Sequence, residues 1–262
     1  MNTADLFSLK GRTALITGGS RGIGKMIAEG FIAQGAKVYI SARKTEACNA
    51  TAAELSKGGG SCTSLPFDVS TTEGVRALAA AYGEREPTLD ILVNNAGAAW
   101  LAPFDDFPEK GWDKVVDLNV KTPFFLTQAL AAPLRAAARP ERPAKVINIA
   151  SIDGIYLTPN ETYSYAASKS ALIQLTRMMA SRLIKDHIAV TAIAPGPFAS
   201  DMNLWARDHE AETAARVPAK RIGTDLDMAG TAIFLASRAG DYVVGSVVTV
   251  DGGVAYATSP HR

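Results

Sequence analysis

The chain has 262 residues, of which 47% are hydrophobic and 20% charged, and a formal net charge of +1. That balance suits a globule with a sizeable core and offers neither a basic footprint for nucleic acid nor an acidic tail. The two cysteines, Cys48 and Cys62, form no CxxC pair, and His187, His209 and His261 are scattered, so neither a disulfide framework nor a metal site is expected.

The first strand is predicted at "TALIT" (13–17), followed by a glycine-rich turn and a helical pattern, "GKMIAEGFIAQG" (24–35). That pattern places Met26, Ile27, Phe31 and Ile32 near one stripe and stops at Gly35. Strands are predicted next at "KVYIS" (37–41), "CTSLPFDV" (62–69) and "LDILVNN" (89–95), separated by helices "EACNATAAELSKG" and "EGVRALAAAYG". A long helical pattern runs through "DKVVDLNVKTPFFLTQALAAPLRAAA", with Pro123 expected at a boundary or kink. A fifth strand at "KVINIAS" (145–151), a helix over about 162–185 and a sixth strand at "IAVTAIAP" (188–195) follow. The segment 196–224 is long, mixed and Pro-containing, and reads as either a lid or an irregular connection. "SVVTVDG" (246–252) supplies a seventh strand. Near-continuous apolar strands alternating with helices predict a doubly wound, parallel, seven-stranded Rossmann-type sheet. The expectation is one three-layer α/β/α domain over 1–262, with no linker or repeat. "MNTADLFSLKGR" lacks the features of a signal peptide and no 18-residue apolar run exists, so a cytoplasmic protein without membrane attachment is expected.

The turn after the first strand carries Gly18, Gly22 and Gly24 in the spacing GxxxGxG, with Ser20, Arg21 and Ile23 between them. Glycine tolerates positive φ and lets a pyrophosphate approach the backbone. The helix beginning near Ile23 presents free N–H groups and a positive dipole end to that anion. Position after strand one of a βαβ unit favours a dinucleotide site over an ordinary turn. An acidic residue for the ribose hydroxyls is expected at the end of strand two, yet Ala42 stands there and Arg43 follows. Arg21 and Arg43 would suit a ribose phosphate, predicting NADPH over NADH; the alternative is two solvated surface arginines.

"ETYSYAASKSAL" (161–172) holds Tyr163, Tyr165 and Lys169. Residues four apart share a helix face, so spacing pairs Tyr165, not Tyr163, with Lys169. Ser151 ends strand five, close enough in sequence for a loop to bring its hydroxyl to Tyr165. Ser151 would polarise a carbonyl and Tyr165 would donate the proton. An ammonium about 4 Å from the phenol is worth on the order of 4 kcal/mol at an effective dielectric of about 20, which predicts a phenol lowered by roughly three units.

These motifs resemble the short-chain dehydrogenases/reductases of the single-domain type: "TGGSRGIG" (17–24), "FDVS" (67–70), "NNAG" (94–97), "LNV" (118–120), "INIAS" (147–151), "YAASK" (165–169), "APGPF" (194–198) and "VDGG" (250–253), in order across the chain. The resemblance implies that Asp68 and Val69 border the adenine and that Asn95, Ala96 and Gly97 pass under the cofactor. An ordinary Asn/Gly turn would satisfy the same residues. It places Pro195, Gly196 and Phe198 beside the nicotinamide, where a strand-ending proline turn is the alternative. It gives Tyr165 and Lys169 cofactor contacts, with Lys169 on the nicotinamide ribose. It makes Asn119 the residue positioning a water that links Lys169 to solvent; a buried asparagine bonded to helix backbone fits equally.

Trp100, Ile155, Tyr156, Tyr163, Met202 and Trp205 are the expected substrate contacts, forming an apolar pocket with a mobile lid. Ordinary loop packing would use them as well. Within the family the chain is most similar to the β-ketoacyl-[acyl-carrier-protein] reductases. The implied substrate is a ketone or acyl thioester, reduced by hydride transfer without a metal. Arg207, Arg216, Lys220 and Arg221 are candidates to guide an acidic acyl-carrier protein. A dehydrogenase of sugars, polyols or steroids, and a non-catalytic dinucleotide-binding regulator, are the alternatives. The resemblance also implies a homotetramer built on the helices at 111–138 and 162–185 and the C-terminal segment.

Overall fold

The computed structural model describes residues 3–200 and 204–257. All seven predicted strands form: β1 (Thr13–Thr17), β2 (Lys37–Ser41), β3 (Ser61–Leu65), β4 (Ile91–Asn94), β5 (Ala144–Ile149), β6 (Ile188–Pro195) and β7 (Val247–Val250). They make one parallel sheet in the order β3-β2-β1-β4-β5-β6-β7. β3 stops four residues earlier than predicted, before Pro66, which has no N–H for the ladder. The order reverses between β1 and β4, which opens a crevice at the carboxyl ends of the strands, where ligands of such sheets bind.

Period-two alternation along each strand divides the core. Ile16, Ile147 and Ile193 face one layer with Ile27 and Phe31; Leu15, Val146 and Val190 face the other with Leu78, Tyr82 and Leu126. The first layer contains α2 (Gly22–Ala33) and, later in the chain, α11 (Asp225–Ala236), which starts from a capping box between Thr224 and Asp227; the short α1 (Thr3–Phe7) precedes β1. Gly30 lets α2 and α11 approach: a Cβ there would lie 2.7 Å from that of Ala229. Each fully buried Leu, Ile or Phe in these layers is worth roughly 1.5–3 kcal/mol. α3 (Thr45–Leu55) connects β2 to β3, and α4 (Thr72–Gly83) connects β3 to β4.

The predicted long helix is four pieces: α5 (Glu109–Val116), a π-turn over Asp117–Lys121, α6 (Thr122–Ala129) and α7 (Ala131–Ala137). The break follows from Pro123, which lies in the first turn of α6 and has no N–H to offer the carbonyl four residues back, that of Asn119. α8 (Tyr163–Leu183) matches its prediction closely. The segment 196–224 contains α9 (Leu204–Asp208) and α10 (Glu210–Arg216), and a bridge between Phe198 and Gly223 ties its two ends together. No described helix is long and apolar enough to cross a membrane.

Candidate active site

The crevice is organised by Thr17 at the end of β1. Its hydroxyl donates to the Val93 carbonyl and accepts from the N–H groups of Asn95 and Ala96. The Asn95 amide then donates to the carbonyls of Thr17 and Gly18, at 2.9 and 3.2 Å. Asn95 is therefore a brace for the glycine turn. Within that turn Gly18 and Gly22 take φ of 65° and 51°, a region that favours glycine. A Cβ on Gly24 would stand 2.3 Å from the Gly18 carbonyl oxygen. The Ser20 carbonyl accepts from the Thr51 hydroxyl. Arg21 is the N-cap of α2, and its side chain makes no capping hydrogen bond to the N–H groups of the first turn.

At the end of β2, Ala42 is half-buried and Arg43 exposed; Arg21 is exposed on the same rim. A glycine cradle, an uncapped helix and two rim guanidinium groups with no acid at position 42 fit a dinucleotide carrying a ribose phosphate. Asp68 accepts from the Ser70 N–H, and Val69 is buried with its carbonyl bonded to the Thr122 hydroxyl, which holds the loop after β3 against α6.

On the other side of the crevice, Ser151 follows β5 and Tyr165 and Lys169 stand on successive turns of α8. The Ser151 hydroxyl accepts from the Asp153 N–H and lies close enough to the Tyr165 phenol to favour its anion. Lys169 is buried, donates to the Ile149 carbonyl at 2.7 Å, and sits 5.5 Å from the centroid of the Tyr165 ring. The expected lowering of the phenol is not found. Burial pushes Tyr165 up to about 12, only partly offset by Ser151, with the Asp153 carboxylate adding to the rise. Burial also brings Lys169 down to about 8, against an opposing pull from Asp153. The reason is geometric: the ammonium is tied to a carbonyl and lies over the ring face, so it does not act on the phenol oxygen as a bare charge at close range.

Asn119 is buried. Its amide donates to the Ala98 carbonyl and the Ser168 hydroxyl, and its oxygen accepts from the Ala98 N–H. The side chain is thus a structural clamp holding the loop after β4 to the π-turn and α8. Gly97 lies beneath this clamp: a Cβ there would be 3.2 Å from the Asn119 oxygen and 3.7 Å from the Lys169 ammonium.

Other predicted residues divide. Tyr163 is turned away from Lys169, packing edge-on to Phe104 and Phe107 and donating to Glu161. Trp100 packs on α5, where a Cβ on Gly111 would clash with its ring at 2.6 Å and Lys114 stands 5.4 Å from its centroid. Ile155 packs against the small cluster of Ala150, Ile173, Ala192 and Ala194, whereas Tyr156 is exposed. Trp205 is exposed and stacks on His209 at 3.9 Å. Met202 lies outside the described residues. Pro195 is buried at the end of β6, and Gly196 is pressed onto Asp251, 2.6 Å from where its Cβ would be. Phe198 does not line the crevice with its side chain: its ring is buried in the core against Gly223. Of the four candidate guides for an acidic partner, Arg207 pairs with Asp208 and Arg221 with Asp227, while Arg216 and Lys220 are exposed. Among the described residues no cluster of His, Cys, Asp and Glu could hold a metal.

Sequence reasoning missed Thr17, Ser168 and Asp153. The first two are polar residues in apolar surroundings. Asp153, an acid two residues after Ser151, was visible but had no evident partner.

A family described as Enoyl-(Acyl carrier protein) reductase matches residues 18–255. The rhamnolipids biosynthesis 3-oxoacyl-[acyl-carrier-protein] reductase of Pseudomonas aeruginosa is 49% identical over 250 residues, covering 94% of this chain and 97% of the relative. The gluconate 5-dehydrogenase of Gluconobacter oxydans is 35% identical over 257 residues, covering 97% and 98%. Among solved structures, the Pseudomonas aeruginosa RhlG/NADP active-site complex superposes with a TM-score of 0.93 at 46% identity, covering 97% of this chain and 100% of that one. A gluconate 5-dehydrogenase from Burkholderia cenocepacia in complex with NADP and tartrate superposes with a TM-score of 0.89 at 35% identity, covering 97% and 98%. The chain belongs to the short-chain dehydrogenase/reductase family, oxidoreductases acting on CH–OH and C=O groups.

Proposed function

We propose that the protein is an NADPH-dependent reductase of β-ketoacyl thioesters. The observation that carries the reading is the placement of Ser151, Tyr165 and Lys169 across the crevice from the glycine turn. Bound NADPH would supply the hydride. Gly18, Gly22 and the first turn of α2 hold its pyrophosphate, and Arg21 and Arg43 its ribose phosphate. Ser151 and Tyr165 hydrogen-bond the substrate carbonyl oxygen, and Tyr165, protonated across the physiological range, donates its proton to the forming alkoxide. Lys169 is within reach of the loop at Gly97 and orients the cofactor ribose. Trp205 and its neighbours on α9 and α10 form a lid.

The thioester reading leans on the 49% identity to a 3-oxoacyl-[acyl-carrier-protein] reductase. A second reading, reduction of keto-sugar acids, leans on the gluconate dehydrogenases. An acyl-carrier protein would meet Arg216 and Lys220, and a cytoplasmic homotetramer would bury Phe124, Phe125 and Met178, which are exposed on α6 and α8. NADPH oxidation measured against acetoacetyl thioesters, β-ketoesters, diketones and keto-gluconates tests the assignment. Turnover of the thioesters and ketoesters is expected; activity on keto-gluconates alone would overturn it.

A further inference from the structure

Among the described residues, Asp153 is the one titratable group at the catalytic hydroxyls that the proposed reaction does not use. It sits in the single turn that follows Ser151, and its N–H donates to the Ser151 hydroxyl at 3.1 Å. That turn is clamped to α8: the Ser170 hydroxyl donates to the Gly154 carbonyl at 2.9 Å, and a Cβ on Gly154 would stand 2.7 Å from the Lys169 backbone. The turn cannot drift from α8 without breaking this contact, so the backbone of Asp153 is held at a fixed place between the Ser151 hydroxyl and the Lys169 turn of α8. Among the described residues its carboxylate has no hydrogen-bonded or ion-paired partner, although the residue is half-buried.

We propose that Asp153 is a positioning residue whose negative charge keeps both Tyr165 and Lys169 in their protonated forms. Among the described residues, the charged and titratable groups facing it are Tyr165 and Lys169 on α8, with the Ser151 hydroxyl on its own turn. An anion opposes loss of a proton from the phenol and from the ammonium alike, and both respond in that direction. The carboxyl's own ionisation is held back by burial and favoured by Lys169, so the three groups titrate as a coupled set. The consequence is directional. Ketone reduction needs the phenol, whereas alcohol oxidation needs the phenolate as base. An anion at Asp153 therefore widens the pH range of reduction and pushes oxidation to alkaline pH.

The proposal rests on Tyr165 as the proton donor, and its test separates the two. The pH dependence of kcat/KM is measured in both directions, with NADPH and a neutral β-ketoester and with NADP+ and the corresponding alcohol, for the native protein, Asp153→Asn, Asp153→Ala and Tyr165→Phe. Loss of the charge is expected to move the basic limb of reduction and the rise of oxidation down by about one pH unit. Oxidation near neutral pH then increases on the order of tenfold with reduction little changed. Tyr165→Phe turning over normally would remove the donor reading itself. An inactive Tyr165→Phe with superimposable profiles for native, Asn and Ala forms would overturn the role of Asp153. If the variants turn over too slowly, ultraviolet difference titration of the phenol on holoenzyme, with Tyr165→Phe as the blank, decides the same question: a phenol lowered in Asp153→Asn supports the proposal, and an unshifted one rejects it.

Discussion

Two lysines are equally buried at opposite ends of the sheet, Lys145 at 2% and Lys169 at 4% exposure, and they have opposite neighbourhoods. At the amino-terminal edge Lys145 pairs with Asp241 at 2.8 Å, beside Arg142 paired with Asp90 at 3.1 Å and Arg12 donating to the Pro143 carbonyl. Each cation there has an acid or a carbonyl held close by the fold. At the carboxyl edge Lys169 has a carbonyl, a phenol ring and an acid that influences it without pairing. Burial lowers the pKa of both lysines, but only Lys145 has a bonded carboxylate resisting it. A buried charge held against an acid is tolerated by the fold, and removing one partner strands the other; a buried charge without such a pair is available for chemistry, at a cost in stability.

Substitution at either end separates the two roles. The largest effect should be at the hydroxyls: Tyr165→Phe lowers kcat by on the order of 10²–10⁴ while Tyr163→Phe changes it by less than about threefold, read by steady-state NADPH oxidation. Lys169→Met should lower kcat/KM by about 10² and at the same time raise the Tm of the cofactor-free protein, since it deletes a buried charge. Its pH signature has a defined sign. Lys169 titrates near 8 when folded and 10.5 when unfolded, and Tyr165 has an unperturbed value of 10.0. Between about pH 8 and 10 the unfolded chain holds the extra proton, so native stability rises with pH through that window, and Lys169→Met should lose this rise in parallel denaturant titrations. Replacing Arg21 and Arg43 together by Ala should raise the KM for NADPH by roughly 10–100-fold and leave that for NADH little changed. The smallest kinetic effect belongs to the other lysine. Lys145→Met should leave kcat within about twofold but cost roughly 1–3 kcal/mol by stranding Asp241, with Lys145→Met/Asp241→Asn recovering part of it.

The sheet was legible because seven apolar runs separated by glycine-ended helices leave few other arrangements, and the observed strands lie within a few residues of them. The pairing of Tyr165 with Lys169 was legible because four residues make about one helical turn. What was not legible depends on where polar atoms point. Nothing in "YAASK" says that Lys169 donates to the Ile149 carbonyl, so the phenol shift came out with the wrong sign. Nothing in "PGPF" says that Gly223 leaves room for the Phe198 ring, or in "LNV" that the Asn119 amide is consumed by Ala98 and Ser168. The break in the long helix was half-legible: Pro123 marked it, but not its form.

That form governs how the chain tolerates a change in length. A π-turn holds one more residue than the α-helical turn it replaces, so everything after it is rotated by about 100° relative to an unbroken helix. Asn119 reaches Ala98 and Ser168 in the present phase, while α6 presents Leu126 to the core. Deleting one residue between Asp117 and Lys121 would let the helix run regularly and turn one of these two faces out of place. Point substitutions on the exposed side of the same turn should be absorbed, so this stretch is strict in its count of residues and lenient in their identity.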